Sequence, residues 1–256
     1  MEQNPCAVQS GPSESESTTP IILFHDAGGT IIPYFSLGDL HRPVYGISNP
    51  RFEQGGKWEH GLRQMGVVYT HLVRSVLRSG PLILGGWSLG GCLALEVASR
   101  LMQLPQYIVH GVVLIDSVFP TQAVTDHYPR TLADVTERFQ LPDQLSGAHR
   151  AQAQQCILHA HEMHREWKPP LFASGPPRTV LLRAIDSMPE DTSGTPNALD
   201  IVRDCKHLGW NEYCTSFLVA CHDIPGNHFT IFEEPNCQQM TRGIREACTH
   251  LESYHD

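Results

Sequence analysis

Residues 82–101 read LILGGWSLGGCLALEVASRL. The run LILGG (82–86) is continuous and apolar, as in a strand covered on both faces. The stretch from Leu89 to about residue 104 carries Leu93, Val97, Leu101 and Leu104 at helical spacing. Between strand and helix sits Gly86-Trp87-Ser88-Leu89-Gly90, which matches G-x-S-x-G. In that setting the serine occupies a tight, strained turn that pushes its hydroxyl out at the carboxyl end of a sheet. The Leu89 amide opens the helix, so it points at any oxyanion formed beside Ser88, and the helix dipole favours that charge. Cys92 stands where a phosphate-binding loop of the Walker A type would need lysine, and no G-x-G-x-x-G is present.

Outward from this stretch, strands alternate with helices. IILF (21–24), PVYGI (43–47), GVVLID (111–116), RTVLLRAI (178–185) and SFLVACH (216–222) read as further strands. Helical stripes run over 58–78, through Leu62, Met65, Tyr69, Leu72 and Val76, and over 237–252, through Met240, Ile244, Ala247 and Leu251. The alternation predicts one α/β domain over 20–256, with a mainly parallel sheet and helices on both faces. Residues 117–177 break the rhythm: they hold no strand pattern but a helical one at 146–167, and such an insertion is expected to form a lid over a pocket. Residues 1–19 are polar and end in GPSESESTTP, so they are expected to be a disordered leader.

Composition narrows the function. Of 256 residues, 41% are hydrophobic and 18% charged, which is a globular balance. The net charge of −9 argues against nucleic acid or an anionic membrane as partner. No apolar run approaches the roughly 18 residues that span a bilayer. The start, MEQNPCAVQS, lacks the features of a signal peptide. The eight cysteines form no C-x-x-C pair, so free thiols and a cytoplasmic setting are expected.

A serine needs a general base at neutral pH. Among fifteen histidines, His228 in IPGNHFTIF follows the last strand, where the order Ser…Asp…His places the base. Most of the other histidines are expected to be solvated. His159, His161 and His164 cluster in HAHEMH, but this is not H-E-x-x-H, so no metal site is expected there. The carboxylate that orients the imidazole is either Asp116, ending GVVLID, or Asp186, ending the next strand; the residues themselves leave both open. The second oxyanion donor belongs on the loop after the first strand, His25-Asp26-Ala27-Gly28-Gly29, with the Ala27 amide as candidate. The Asp26 carboxylate has to point away from that oxyanion.

HDAGG, GGWSLGG, VVLIDS and PGNHF, in this order over residues 21–250, resemble the α/β-hydrolase thioesterases of polyketide and nonribosomal peptide synthases, above all the free-standing fungal ones of secondary metabolism. The resemblance implies Asp116 rather than Asp186 as the acid, a helical lid after the acid-bearing strand, and Ala27 as oxyanion donor. It implies a sheet that can begin at IILF. It implies a serine thioesterase that works without metal or cofactor. The substrate would be an acyl chain on the phosphopantetheine of an acyl or peptidyl carrier protein of a separate synthase, cleaved through an acyl-Ser88 intermediate for product release or editing. The alternatives on the same residues are a small-molecule carboxylesterase or lipase, and a non-catalytic acyl-binding pseudo-hydrolase.

Overall fold

The structure is a computed structural model that describes residues 3–11, 18–139, 141, 146–189 and 197–253. Its centre is a seven-stranded sheet built from β1 (Cys6–Ser10), β2 (Ile21–Phe24), β3 (Pro43–Ile47), β4 (Gly80–Trp87), β5 (Tyr107–Ile115), β6 (Thr179–Ala184) and β7 (Leu218–Ile224). The spatial order is β1-β3-β2-β4-β5-β6-β7. Every neighbouring pair is parallel except β1 with β3. The helices α1 (Gly61–Val76), α2 (Leu89–Leu101) and α6 (Asn236–Glu252) cover it. α2 stops short of the expected 104 because Pro105 follows, and the residue before a proline disfavours helical backbone.

Side chains alternate across the sheet and sort into two cores. Ile22, Phe24, Leu82, Leu84, Val112 and Leu114 pack with α1 and α2. Ile21, Leu23, Ile83, Val113, Ile115, Val180 and Leu182 face the other way, against Met240, Ile244, Ala247 and Leu251 of α6. Both faces are thereby buried, which is why these strands read as unbroken apolar runs. The chain leaves β2 toward β3 on one side and returns to β4 on the other. The carboxyl ends of β2 and β4 therefore flank the crevice that such a switch in strand order creates.

The expected disordered leader and a sheet beginning at IILF need correction. Cys6–Ser10 forms an antiparallel edge strand on β3. The polar residues that suggested disorder are its pins. Asn4 donates to the Ser48 carbonyl (2.9 Å) and accepts from the Ser48 amide (3.2 Å). Gln9 donates to the Gly38 carbonyl (3.0 Å) and accepts from the Leu40 amide (2.8 Å). Residues 12–17 of that stretch lie outside the described residues.

Between β5 and β6 come α3 (Gln122–Asp126), α4 (Leu132–Arg138) and α5 (Gly147–Glu166). Thr131 and Asp134 close a capping box on α4. α5 buries mostly small or polar side chains, Ala153, Cys156, Ile157, Ala160, His161 and His164.

The strand-to-helix turn at β4 depends on close backbone approach. A Cβ on Gly90 would collide with the carbonyl oxygen of Phe24 in β2, and one on Gly86 would sit 2.5 Å from the Gly90 carbonyl carbon. Gly90→Ala is accordingly expected to destabilise the protein by about 1–3 kcal/mol, read as a lower denaturation midpoint in urea at unchanged m-value. A midpoint equal to wild type would show that β2 and α2 are not in this contact.

Candidate active site

Ser88 connects β4 to α2 with φ 55° and ψ −120°, a strained backbone for a residue bearing a Cβ. Two bonds from the end of β5 hold it there. The Ser88 amide donates to the Ile115 carbonyl (2.9 Å), and the Ser117 hydroxyl donates to the Ser88 carbonyl (2.5 Å). On the other side the Tyr34 hydroxyl donates to the Phe24 carbonyl (2.5 Å) and accepts from the Trp87 amide (2.9 Å), bridging the ends of β2 and β4.

Asp116, between Ile115 and Ser117, has φ 41° and is 0% exposed. Its amide donates to the Leu182 carbonyl (2.7 Å). One carboxylate oxygen, Oδ2, accepts from His228 Nδ1 at 2.7 Å and from Arg203 Nη2 at 3.0 Å. The other, Oδ1, accepts from Arg203 Nη1 at 2.6 Å and the Ala184 amide at 2.9 Å. Burial alone would raise the carboxyl pKa, but the His228 hydrogen bond and the Arg203 guanidinium outweigh it and hold the group below its ordinary value. His228 lies in the loop after β7, 2% exposed, with its ring centroid 5.1 Å from that of Trp87. Since Nδ1 donates to a carboxylate, Nε2 is the nitrogen left to act as base.

Asp186 is not part of this arrangement. Its amide donates to the Gly226 carbonyl (3.0 Å), and its carboxylate accepts from the Gly226 amide (3.1 Å). It fastens the loop that carries His228 and makes no bond to the imidazole.

Ser88, Leu89 and Ala27 line one cavity of about 20 Å³ with Val118, Tyr128, His161, His164 and Leu199. That is room for about one water. Leu89 is the first residue of α2, where helix amides have no partner within the helix. The loop bearing Ala27 is fixed from below by His25, which donates through Nδ1 to the Asp26 carbonyl (2.5 Å) and accepts through Nε2 from the Tyr69 hydroxyl (2.6 Å). The Asp26 carboxylate folds back over its own loop toward the amides of Gly28, Gly29 and Thr30; burial still raises it to about 6.

Three features escaped the sequence reading. Arg203, 4% exposed, grips Asp116 from the segment after Asn197 and also donates to the Ala184 carbonyl (2.9 Å) and Asp200 (3.2 Å). Its only trace in the sequence is an arginine flanked by Leu199 and Val202. His161 and His164, expected in solvent, face the cavity instead, because they share the buried face of α5 with Ala153, Cys156, Ile157 and Ala160. Tyr128 between α3 and α4 shares a hydrogen bond with His164 Nδ1 at 2.7 Å. Among the described residues no group of three or more His, Cys, Asp or Glu side chains is arranged to hold a metal ion. No described helix is long and apolar enough to cross a membrane.

The family model for the thioesterase domain matches residues 19–248. The chain belongs to the thioesterase family. It is an enzyme of the thioester-hydrolase class on an α/β-hydrolase fold, as the motifs suggested. It is 35% identical over 256 residues to the probable thioesterase BOA10 of Botryotinia fuckeliana, covering 98% of this chain and 92% of the relative. It is 30% identical over 285 residues to the nonribosomal peptide synthetase imqB of Aspergillus flavus, covering 98% of this chain and 8% of that protein. Among solved structures, the NocB thioesterase domain in covalent complex with a fluorophosphonate nocardicin G analogue superposes with a TM-score of 0.69 at 26% identity, covering 90% of this chain and 95% of that one.

The buried histidines couple this thioesterase's stability to pH. Burial pushes His25 and His161 down to about 4 and His164 to about 3, from an ordinary value near 6.5. Between about pH 4 and 6.5 the unfolded chain therefore binds three protons that the folded state refuses, and stability falls as pH falls through this window. Asp26, raised to about 6, binds a proton in the folded state over much of the same range and offsets one of them. Unfolding near pH 5 should take up roughly two protons, a slope of about 2–3 kcal/mol per pH unit. Urea unfolding at pH 7, 6 and 5 measures it; equal stability at all three would mean that these imidazoles are not buried.

Proposed function

We propose that the chain is a serine thioesterase that removes an acyl chain from the phosphopantetheine thioester of an acyl or peptidyl carrier protein, acting on a separate synthase of polyketide or nonribosomal peptide biosynthesis. The observation that carries this is the 2.7 Å bond from His228 to Asp116 at the carboxyl ends of the strands that present Ser88 on its strained turn. The match to 8% of a nonribosomal peptide synthetase supports the substrate class.

In this reading His228 Nε2 takes the Ser88 proton as the hydroxyl oxygen attacks the thioester carbonyl. The imidazolium is stabilised by Asp116. The Ala27 and Leu89 amides face the tetrahedral oxyanion, and losing one such donor costs about 100-fold or more in rate. The oxyanion collapses, the carbon–sulfur bond breaks, and the pantetheine thiolate leaves with the proton from His228. Water then attacks acyl-Ser88 by the same route, with His228 taking its proton and returning it to the Ser88 oxygen. A cavity of about 20 Å³ holds no acyl chain, so α5 and the segments beside it serve as a lid that lifts when substrate enters.

Turnover of an acyl-loaded carrier protein tests the roles separately. Ser88→Ala should abolish it, Asp116→Asn should lower kcat by about 10³- to 10⁴-fold, and Asp186→Asn, whose amide oxygen can still accept from the Gly226 amide, should lower it far less. Equal losses in the two aspartate variants would dismantle the assigned triad. Rapid cleavage of p-nitrophenyl esters with no action on thioesters would turn the reading toward a carboxylesterase.

A further inference from the structure

Four residues of α5 separate His161 from its own helix partner, the carbonyl of Ile157, to which its Nδ1 is bonded at 2.7 Å. A carbonyl oxygen only accepts, so Nδ1 carries the hydrogen and Nε2 keeps its lone pair. The ring is only 7% exposed and is fixed by aromatic neighbours, with Tyr128 edge-on at 4.5 Å and Phe139 at 5.4 Å. Among the described residues nothing is hydrogen-bonded to Nε2, while the ring lines the cavity beside Ser88, Ala27 and Leu89. His164, one turn on, has both nitrogens occupied, by the Tyr128 hydroxyl at 2.7 Å and Cys92 Sγ at 3.3 Å. Of the two histidines that α5 turns toward Ser88, only His161 has an acceptor to spare.

We propose that His161 is the group that holds the water of the second half-reaction: its Nε2 accepts one hydrogen of that water while His228 Nε2 accepts the other. The inference rests on the acyl-Ser88 reading and assigns it a water site. A buried water needs two or more polar partners, and of the two imidazoles lining the space beside Ser88, His161 is the one whose ring acceptor is unbonded. His161 and His228 divide the work. The water oxygen forms a bond to the acyl carbonyl carbon, His228 takes the proton, and the ester bond to Ser88 Oγ breaks with that proton delivered to Oγ; His161 exchanges no proton. Burial, with the nearby positive charge of Arg165 and of His228, keeps His161 neutral, so it remains an acceptor while His228 is charged. Because His161 rides on α5, the water site would be assembled only once that helix has settled back over the acyl group.

Single-turnover reaction with an acyl-pantetheine thioester, followed by rapid-quench intact mass, reads formation and decay of the acyl-enzyme separately. In His161→Phe, which keeps a ring against Tyr128 and Phe139, formation should stay within about twofold of wild type. Hydrolytic decay should slow about 10- to 100-fold, the scale of one lost hydrogen bond at a buried site. His161→Gln restores an acceptor and should recover most of the decay rate. Hydroxylamine, which needs no positioned water, should discharge all three acyl-enzymes at similar rates. The amplitude of acylation counts correctly folded sites, so misfolding lowers amplitude without imitating slow decay. Decay at the wild-type rate in His161→Phe, equal slowing of formation and decay, or a Gln variant no better than Phe would each overturn the assignment and leave the acyl-Ser88 reading standing. Absence of any acyl-Ser88 in wild type would overturn both.

Discussion

The carboxylate of Asp116 is the constraint around which the site is organised. A bare carboxylate buried at this depth would cost several kcal/mol, and four hydrogen bonds from three parts of the chain offset that cost. Ala184 brings the end of β6, Arg203 brings the segment after Asn197, and His228 brings the loop after β7. Arg203 makes the arrangement different in kind from a carboxylate satisfied by neutral donors. Its guanidinium matches both oxygens, so the carboxylate plane is fixed before the imidazole binds. The 2.7 Å bond to His228 Nδ1 then fixes the ring and its tautomer.

The same strand end controls the serine. Ile115 accepts from the Ser88 amide, Asp116 binds His228, and Ser117 donates to the Ser88 carbonyl. Three consecutive residues thus set the backbone of Ser88 and the ring of His228. Trp210 adds a bond from its indole N–H to the Ser117 carbonyl at 2.7 Å, which extends the brace into the segment carrying Arg203.

Legibility in the sequence followed the locality of the physics. The G-x-S-x-G turn, the apolar strands and the stripe of α6 are set by neighbours within a few residues, and they stand in the structure close to where their patterns put them. Asp116 and Asp186 looked alike because both end strands; only the path of the loop after β7 brings one of them to His228 and leaves the other on Gly226. Arg203 was invisible because nothing local marks an arginine that folds back to meet a residue 87 positions earlier. β1 was hidden for another reason: its edge position needs few apolar residues, and its hold comes from Asn4 and Gln9, residue types that also fill disordered segments. α5 inverted the usual rule, presenting histidines inward where a pattern reader expects leucine.

This inversion gives the closed site its character. The face of α5 toward Ser88 sets His161 and His164 among small residues and Ile157, with Tyr128, Phe139 and Trp167 packed against the two rings. The account stands on His228 being oriented by Asp116, and NMR of the imidazole protons tests this most directly. The predicted result is a slowly exchanging Nδ1–H resonance of His228, far downfield, that moves back toward the ordinary imidazole range in Asp116→Asn and stays in place in Asp186→Asn. A resonance unmoved by Asp116→Asn, or displaced by Asp186→Asn, would contradict it.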